Sequence, residues 1–360
     1  MYDILNSKEQ YFSIQNVLNF TVNEKNKFKV FDTLYKHYEN FKINEKPSEL
    51  DLIINLGKFT PKIEEKHVVG YGKYYIGSDY LYVANESYKG ANWTFEVIGI
   101  EDQTTVLNID FNTSGRIFIT GHVIDFLIQL KLLQKSFSLV HASGISKNGS
   151  ATIFSGRGGG GKTSIALESL NHGYDFLGDN YLLVKNNEIF SFPTSLSLFT
   201  YNLADIILKK LKTNEKIAIS LKNLLYKISG GYAKFFTKIN PKRITEITKN
   251  SKLDTIFIIQ PIEDNKVSLA VKKMDRTKAL KKMCHNQMLE FTFFNQYMEI
   301  YSYIFPEKNL SKHWNLYFET LNNNISENIT FYEVSISGNP NFNEIFQELE
   351  DYFISGENEG

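Results

Sequence analysis

Gly156-Arg157-Gly158-Gly159-Gly160-Gly161-Lys162-Thr163 is the stretch on which the reading of this chain turns. It satisfies every fixed position of G-x-x-x-x-G-K-[ST], a pattern in which glycines let successive backbone N–H groups face one centre. An anion held there meets the loop amides and the N-terminus of the following helix, while a lysine ammonium and a hydroxyl complete the cradle. The pattern carries this meaning only between a strand and a helix. Residues 151–154 supply an apolar, β-prone run before it, and Ile165, Leu167 and Leu170 follow at helical spacing up to Gly173. A glycine-rich surface turn, the plainer alternative, requires no such flanks.

Upstream, residues 138–145 and 151–154 flank Lys147-Asn148-Gly149, and Asn-Gly favours a tight hairpin. Downstream, residues 175–184 read as a strand, Asn186-Asn187 as a turn and residues 189–192 as the returning strand. Farther out, residues 200–240 look helical and lysine-rich, 253–262 and 267–272 look like paired strands, and 275–320 look helical. A last strand at 329–335 precedes a helix at 343–353. Toward the N-terminus, Val123, Phe126, Leu127, Leu130 and Leu133 recur at three and four, which predicts an amphipathic helix over 121–135. Residues 67–119 alternate aromatic or β-branched with polar residues between glycines, which predicts antiparallel strands. The chain is therefore expected to be α/β (α+β) in two parts: a β-rich region, 1–120, suited to recognising an acceptor or partner, and a loop-bearing domain, 121–360.

Composition narrows the function classes. Forty basic and forty acidic residues cancel, and 42% hydrophobic with 22% charged residues exclude a disordered chain and a nucleic-acid binder that relies on global positive charge. The single cysteine, Cys284, excludes an internal disulfide and a thiolate zinc site, and no ligand is spaced for zinc around Cys284-His285. Residues 1–10 lack the basic-then-apolar run of a secretion signal. The most apolar runs, near 123–133 and 256–262, fall well short of the roughly 20 residues that span a bilayer. A soluble, cytoplasmic protein with neither membrane nor nucleic-acid partner is expected. The neutral total hides polarity: residues 209–243 hold ten basic residues, among them Lys209, Lys210, Lys212, Lys216, Lys222 and Lys227, against Glu215 alone, so this segment is +9 and the remainder −9. Such a segment reads either as a solvated helical face or as a site for an acidic partner, and its aromatic residues Tyr226, Tyr232, Phe235 and Phe236 read as core.

The hairpin opening at His141, the glycine loop, and Phe176-Leu177-Gly178-Asp179-Asn180-Tyr181 together resemble the catalytic domain of HPr kinase/phosphorylase, in the phosphoenolpyruvate carboxykinase-like group of P-loop folds. His141 stands fifteen residues before Gly156, the spacing of the family's histidine. Asp179 falls on the first of the family's aspartate pair when Gly173 is aligned with the glycine that ends the helix. The likeness covers roughly residues 125–200 and does not extend to the first 120. It implies a phosphoenolpyruvate carboxykinase-like P-loop domain, built on a mixed sheet, that uses ATP and Mg²⁺, with the nucleotide held by Gly156, Arg157, Gly158, Gly159, Gly160, Gly161, Lys162, Thr163 and Ser164. The implied catalytic residues are Asp179, Lys162 and His141: Lys162 clamps phosphate, His141 lines the phosphate side, and Asp179 takes a proton from the attacking hydroxyl or stands among the metal ligands. Thr163, Asp179 and Asn180 are the implied metal ligands. Asn180 replaces the family's second aspartate and removes one negative charge, which bears on metal affinity and on the reverse, phosphate-releasing reaction. Arg157 is unusual within the loop and reads equally as a phosphate contact or a solvent-facing side chain.

The function implied is an ATP- and Mg²⁺-dependent kinase acting on a hydroxyl, with serine or threonine of a peptide or small protein as acceptor. A small-molecule acceptor, or a nucleotide-sensing interaction module without turnover, are the alternatives; a homo-oligomer is compatible with either. The carboxykinase reaction is disfavoured, because no second set of metal- and oxaloacetate-binding motifs accompanies the loop.

Overall fold

The computed structural model describes residues 8–24, 32–198, 209–228, 237–263, 269–337 and 340–354. The chain divides into two units, one of Met1–Phe137 with Met288–Thr320 and the other of Ser138–Gln287 with Leu321–Gly360. The sequence reading put a boundary near residue 120. Contacts divide the chain after Phe137 instead, and they return residues 288–320 to the first unit.

The first unit is built on a nine-stranded mixed sheet. Its strands are β1 (Lys8–Ile14), β2 (Leu18–Glu24), β3 (Lys42–Ile43), β4 (Leu52–Leu56), β5 (His67–Val69), β6 (Tyr74–Gly77), β7 (Tyr80–Tyr88), β8 (Ala91–Ile98) and β9 (Thr105–Phe111), with the short helix α1 (Asp32–His37) after β2. They run in the order β3-β1-β2-β4-β9-β8-β7-β6-β5, and β5 to β9 form the expected antiparallel meander. Helix α2 (Asp125–Gln134) follows a single wide turn, Thr120–Ile124. It departs from the expected amphipathic form, since every residue from Asp125 to Leu132 is buried. Its polar residues are satisfied inside the unit: Tyr38 donates to Asp125, Gln129 meets His313 at 2.9 Å, and Lys131 donates to the carbonyl of Asp102 and, at 3.0 Å, to Gln134. Buried polar groups are tolerated when partnered in this way, and the sequence pattern cannot display such partners.

The second unit carries β10 (Ser138–Val140), β11 (Ala142–Lys147), β12 (Ser150–Gly156), α3 (Lys162–Glu168), β13 (Asp175–Gly178), β14 (Leu182–Lys185), β15 (Glu188–Ser191), β16 (Leu196–Leu198), α4 (Thr213–Ile228), β17 (Thr237–Ile239), β18 (Asn250–Ile262) and β19 (Leu269–Lys273). Helices α5 (Arg276–Glu290), α6 (Thr292–Ile304) and α7 (His313–Asn324), then β20 (Thr330–Ser337) and α8 (Phe342–Ile354), complete the chain; α6, residues 288–290 of α5 and residues 313–320 of α7 belong to the first unit. Its main sheet runs β10-β14-β15-β18-β12-β11-β13, with β20 and β19 branching from β18. The hairpin β11–β12 turns at Asn148 and Gly149, both at positive φ, as Asn-Gly demands. On its other side β12 lies parallel to β18, whose Ile256-Phe257-Ile258-Ile259 run is buried throughout, the signature of a strand covered on both faces.

Two strand expectations change. Residues 253–262 and 269–273 are not neighbours: β20 inserts between them, parallel to β18 and antiparallel to β19. The apolar β18 takes the apolar β20, and β19, ending in Lys272-Lys273, becomes the edge. The expected single strand 175–184 is broken at Asp179-Asn180-Tyr181, so that β13 pairs with β11 while β14 lies between β10 and β15. Asn180, at φ 70°, makes the break. Of the expected lysine-rich helix, α4 accounts for residues 213–228. Residues 200–208 and 229–236, with Tyr232, Phe235 and Phe236, lie outside the described residues, as does the side chain of Tyr226. No helix among the described residues is long and apolar enough to cross a membrane.

Candidate functional site

The glycine loop joins the buried end of β12 to α3 within the second unit. Its first glycine is dictated by packing: a Cβ on Gly156 would stand 2.4 Å from the carbonyl oxygen of Ile259 on β18. Its last needs both space and a left-handed backbone, since Gly161 sits at φ 93° with Phe342 of α8 2.8 Å from where a Cβ would be. Between them Gly158 and Gly159 face open space. The Gly160 N–H donates to the Arg157 carbonyl at 3.1 Å, and the Ile165 N–H to the Gly161 carbonyl at 2.9 Å, which starts the helix. α3 turns its Ile165, Ala166 and Leu167 into the core with Phe154, Phe257 and Phe346 and ends through a tight turn at Gly173, φ 77°.

Lys162 is the first residue of α3 and is buried. Its ammonium folds back over the loop and donates to the carbonyls of Gly156, at 2.6 Å, and Arg157, at 3.2 Å. One residue on, the Thr163 hydroxyl donates to both oxygens of Asp179, at 2.9 and 3.0 Å. The break after β13 therefore delivers Asp179 to the start of α3 from across the unit, and the carboxylate is buried there. A second hydroxyl, that of Ser143 on β11, donates to Asp179 Oδ1. Ser143 is fully buried and was not singled out in the sequence. The available signal was its place two residues beyond His141, on the strand that leads into the hairpin.

His141 lies between β10 and β11. Its carbonyl accepts from Ser155 Oγ, at 3.2 Å, and from Asn286 Nδ2 of α5, at 3.1 Å, and its ring stands edge-on to Tyr181 with centroids 5.9 Å apart. Burial pushes the imidazole well below its ordinary pKa of 6.5, and the charges of Lys162 and Arg157 push the same way, against a bond to the Asn180 carbonyl. The ring is neutral at physiological pH, so the positive charge of the site comes from Lys162 and Arg157. Asn286, like Ser143, enters only through the fold.

The remaining sequence candidates divide. Ser164 is buried behind the loop, and Arg157 is exposed at its rim. Asn180 contributes its main chain, whose carbonyl accepts from the Ala142 N–H at 3.3 Å. Its left-handed backbone suits asparagine, which adopts that region more readily than most residues. The bonds that gather at Asp179 come from Thr163 and Ser143, not from Asn180. Among the described residues no group of three or more His, Cys, Asp or Glu could enclose a metal ion by itself. One carboxylate beside one hydroxyl is, however, a fit for Mg²⁺, which takes few protein ligands and completes its shell with phosphate oxygens and water.

No protein-family model and no curated protein matches the chain. Among solved structures, the Hpr(Ser) kinase/phosphatase from Coxiella burnetii is similar over 61% of this chain and 98% of that chain, with 10% identity and a TM-score of 0.29.

Proposed function

We propose that this chain is a kinase that moves the γ-phosphate of ATP to a hydroxyl group, with serine or threonine of a peptide or small protein as acceptor. The observation that supports it best is the meeting of Thr163 and Asp179, 2.9 Å apart, at the end of a glycine loop whose lysine is already folded over it. Phosphoryl transfer asks little covalent chemistry of a protein; it needs charge neutralisation around the phosphates and one carboxylate to orient the nucleophile. Gly158 and Gly159 face open space, where phosphates would meet the loop. Lys162 exchanges its two carbonyl partners for phosphate oxygens, a stronger, charge-assisted pairing. Mg²⁺, held by Thr163 and Asp179 with the phosphates, would neutralise charge that builds on the leaving group. Ser143 holds Oδ1 of Asp179, so Oδ2 is the oxygen with fewer bonds and the one to receive the acceptor's hydroxyl proton. His141, neutral and beside Lys162, contributes shape and hydrogen bonding on the phosphate side.

A nucleotide-sensing module without turnover is the second reading, favoured by Asn180 standing where a second carboxylate would raise metal affinity. The two separate on incubation with γ-labelled ATP, Mg²⁺ and a set of serine- and threonine-bearing peptides, followed by mass spectrometry. The kinase reading expects acceptor-dependent ATP consumption with phosphate found on a hydroxyl. Binding of ATP with no transfer to any peptide or to free small-molecule alcohols would favour the sensing module.

A further inference from the structure

Four strands of the second unit end on the same side of its sheet. β11 is antiparallel to both β12 and β13, while β18 is parallel to both β12 and β20, so β13, β12, β18 and β20 point the same way. In α/β sheets, ligands lie in the crevice outside the carboxyl ends of parallel strands. The glycine loop leaves β12 in the middle of this row, and its two flanks differ. On the β13 flank stands Asp179, with the hydroxyls of Thr163 and Ser143 bonded to it. On the β18 flank the neighbours are apolar. A Cβ on Gly160 would stand 3.6 Å from Ile259 Cγ2 and 3.7 Å from Pro261 Cδ. One on Gly161 would stand 2.8 Å from Phe342 Cε1 and 3.3 Å from its Cζ.

Phe342 opens α8, the helix that follows β20. It packs against the core of the unit yet stays half-buried, and among the described residues no aromatic ring pairs with it. Ile262, which ends β18 next to Pro261, is 36% exposed. The flanks thus divide a bound nucleotide by chemistry. The transferred phosphate and its metal belong with the carboxylate and hydroxyls on the β13 flank. The opposite end of the nucleotide then lies toward β18 and β20, where apolar walls have nothing to offer a charged group. A base, flat and uncharged, presents a π face that an aromatic side chain takes in stacking.

We infer that Phe342 is the platform on which the nucleobase stacks, with Pro261 and Ile262 on the same apolar flank of the loop. The inference rests on the phosphate-loop reading of residues 156–163 and adds to it the place of the nucleoside.

The test is calorimetric titration of the full chain with Mg·ATP and with the magnesium salt of inorganic triphosphate, which offers the phosphates without a base. Phe342→Ala should weaken Mg·ATP by about tenfold and leave triphosphate within about twofold. Phe342→Tyr keeps the ring and should bind both ligands as the parent does. Phe342→Leu keeps an apolar cover over Gly161 but has no ring face, so it should lose Mg·ATP affinity and hold triphosphate. Leu against Tyr makes the same comparison if the alanine variant does not fold. Equal loss of both ligands in Phe342→Ala or Phe342→Leu would make the residue a packing support of the loop and overturn the inference. Parental Mg·ATP affinity in Phe342→Leu would overturn it as well. Lys162→Ala separates this from the reading beneath it, since that substitution should weaken triphosphate and Mg·ATP alike. A parent chain that binds neither ligand, or a Lys162→Ala chain that binds both undiminished, would contradict the phosphate loop itself and the base platform with it.

Discussion

Asp179 gathers two hydroxyl donors, Thr163 and Ser143, and they are not equivalent in what their loss should do. On the proposed kinase mechanism Asp179→Asn removes the proton acceptor while keeping size and most bonds, so turnover should fall by a factor on the order of 10² or more with affinity for metal-free ATP nearly unchanged. Unaltered turnover would reduce Asp179 to a structural residue. Ser143→Ala touches no substrate and acts through the carboxylate. A loss on the order of tenfold in kcat with little change in KM is expected, and recovery in Ser143→Thr would assign the effect to the hydroxyl rather than to a void. The loop, with Lys162 and Thr163, was legible in the sequence because the pattern fixes those residues by linear spacing, and Asp179 was singled out only through the family resemblance, by aligning Gly173. Ser143 and Asn286 were not, since each reaches the site through strand pairing or helix packing that no local pattern encodes. Asn180 was legible as a departure from a family pattern, but the reason asparagine suits the position, a left-handed turn, needed the backbone.

At the scale of elements, β12, the glycine loop and α3 make a claim that differs from one glycine to the next. Gly156→Ala drives a Cβ into the Ile259 carbonyl and should cost more than about 2 kcal/mol by forcing β12 from β18. Gly158→Ala meets nothing within 4 Å and should change stability by less than about 0.5 kcal/mol in urea unfolding. Equal costs would mean that the close approach of β12 to β18 is misplaced. The hairpin and the helix ending at Gly173 were readable because turn residues announce themselves. α2 was read as amphipathic because its apolar residues recur at three and four, yet its polar residues Asp125, Gln129 and Lys131 each have a partner inside. The order of β18, β20 and β19 was unreadable because parallel pairing joins residues far apart in the chain.

Over the whole molecule, the division into units escaped the sequence because the chain leaves the first unit after Phe137 and re-enters it at Met288, with no composition change at either crossing. Imidazoles held below their ordinary pKa occur in both units: buried His313, pushed down to about 3, and half-buried His122, down to about 4, in the first, and buried His141, pushed down well below 6.5, in the second. Burial is the leading cause in each. Their folded values lie below the unfolded one, so their contribution is whole above about pH 6.5 and is lost as pH falls from there toward the folded values. Each removes about 1.4 kcal/mol per pH unit in that window. His313→Gln should flatten urea-measured stability between pH 6.5 and 4 by one such slope; a profile parallel to the parent's would show that His313 is not held neutral. The central claim, that Gly156 to Thr163 holds the phosphates of a nucleotide, is tested most directly by calorimetric titration of Mg·ATP and of adenosine into the parent chain and into Lys162→Ala. The account predicts that the substitution weakens Mg·ATP by at least about tenfold and leaves adenosine unchanged; equal Mg·ATP affinity in the two chains would contradict it.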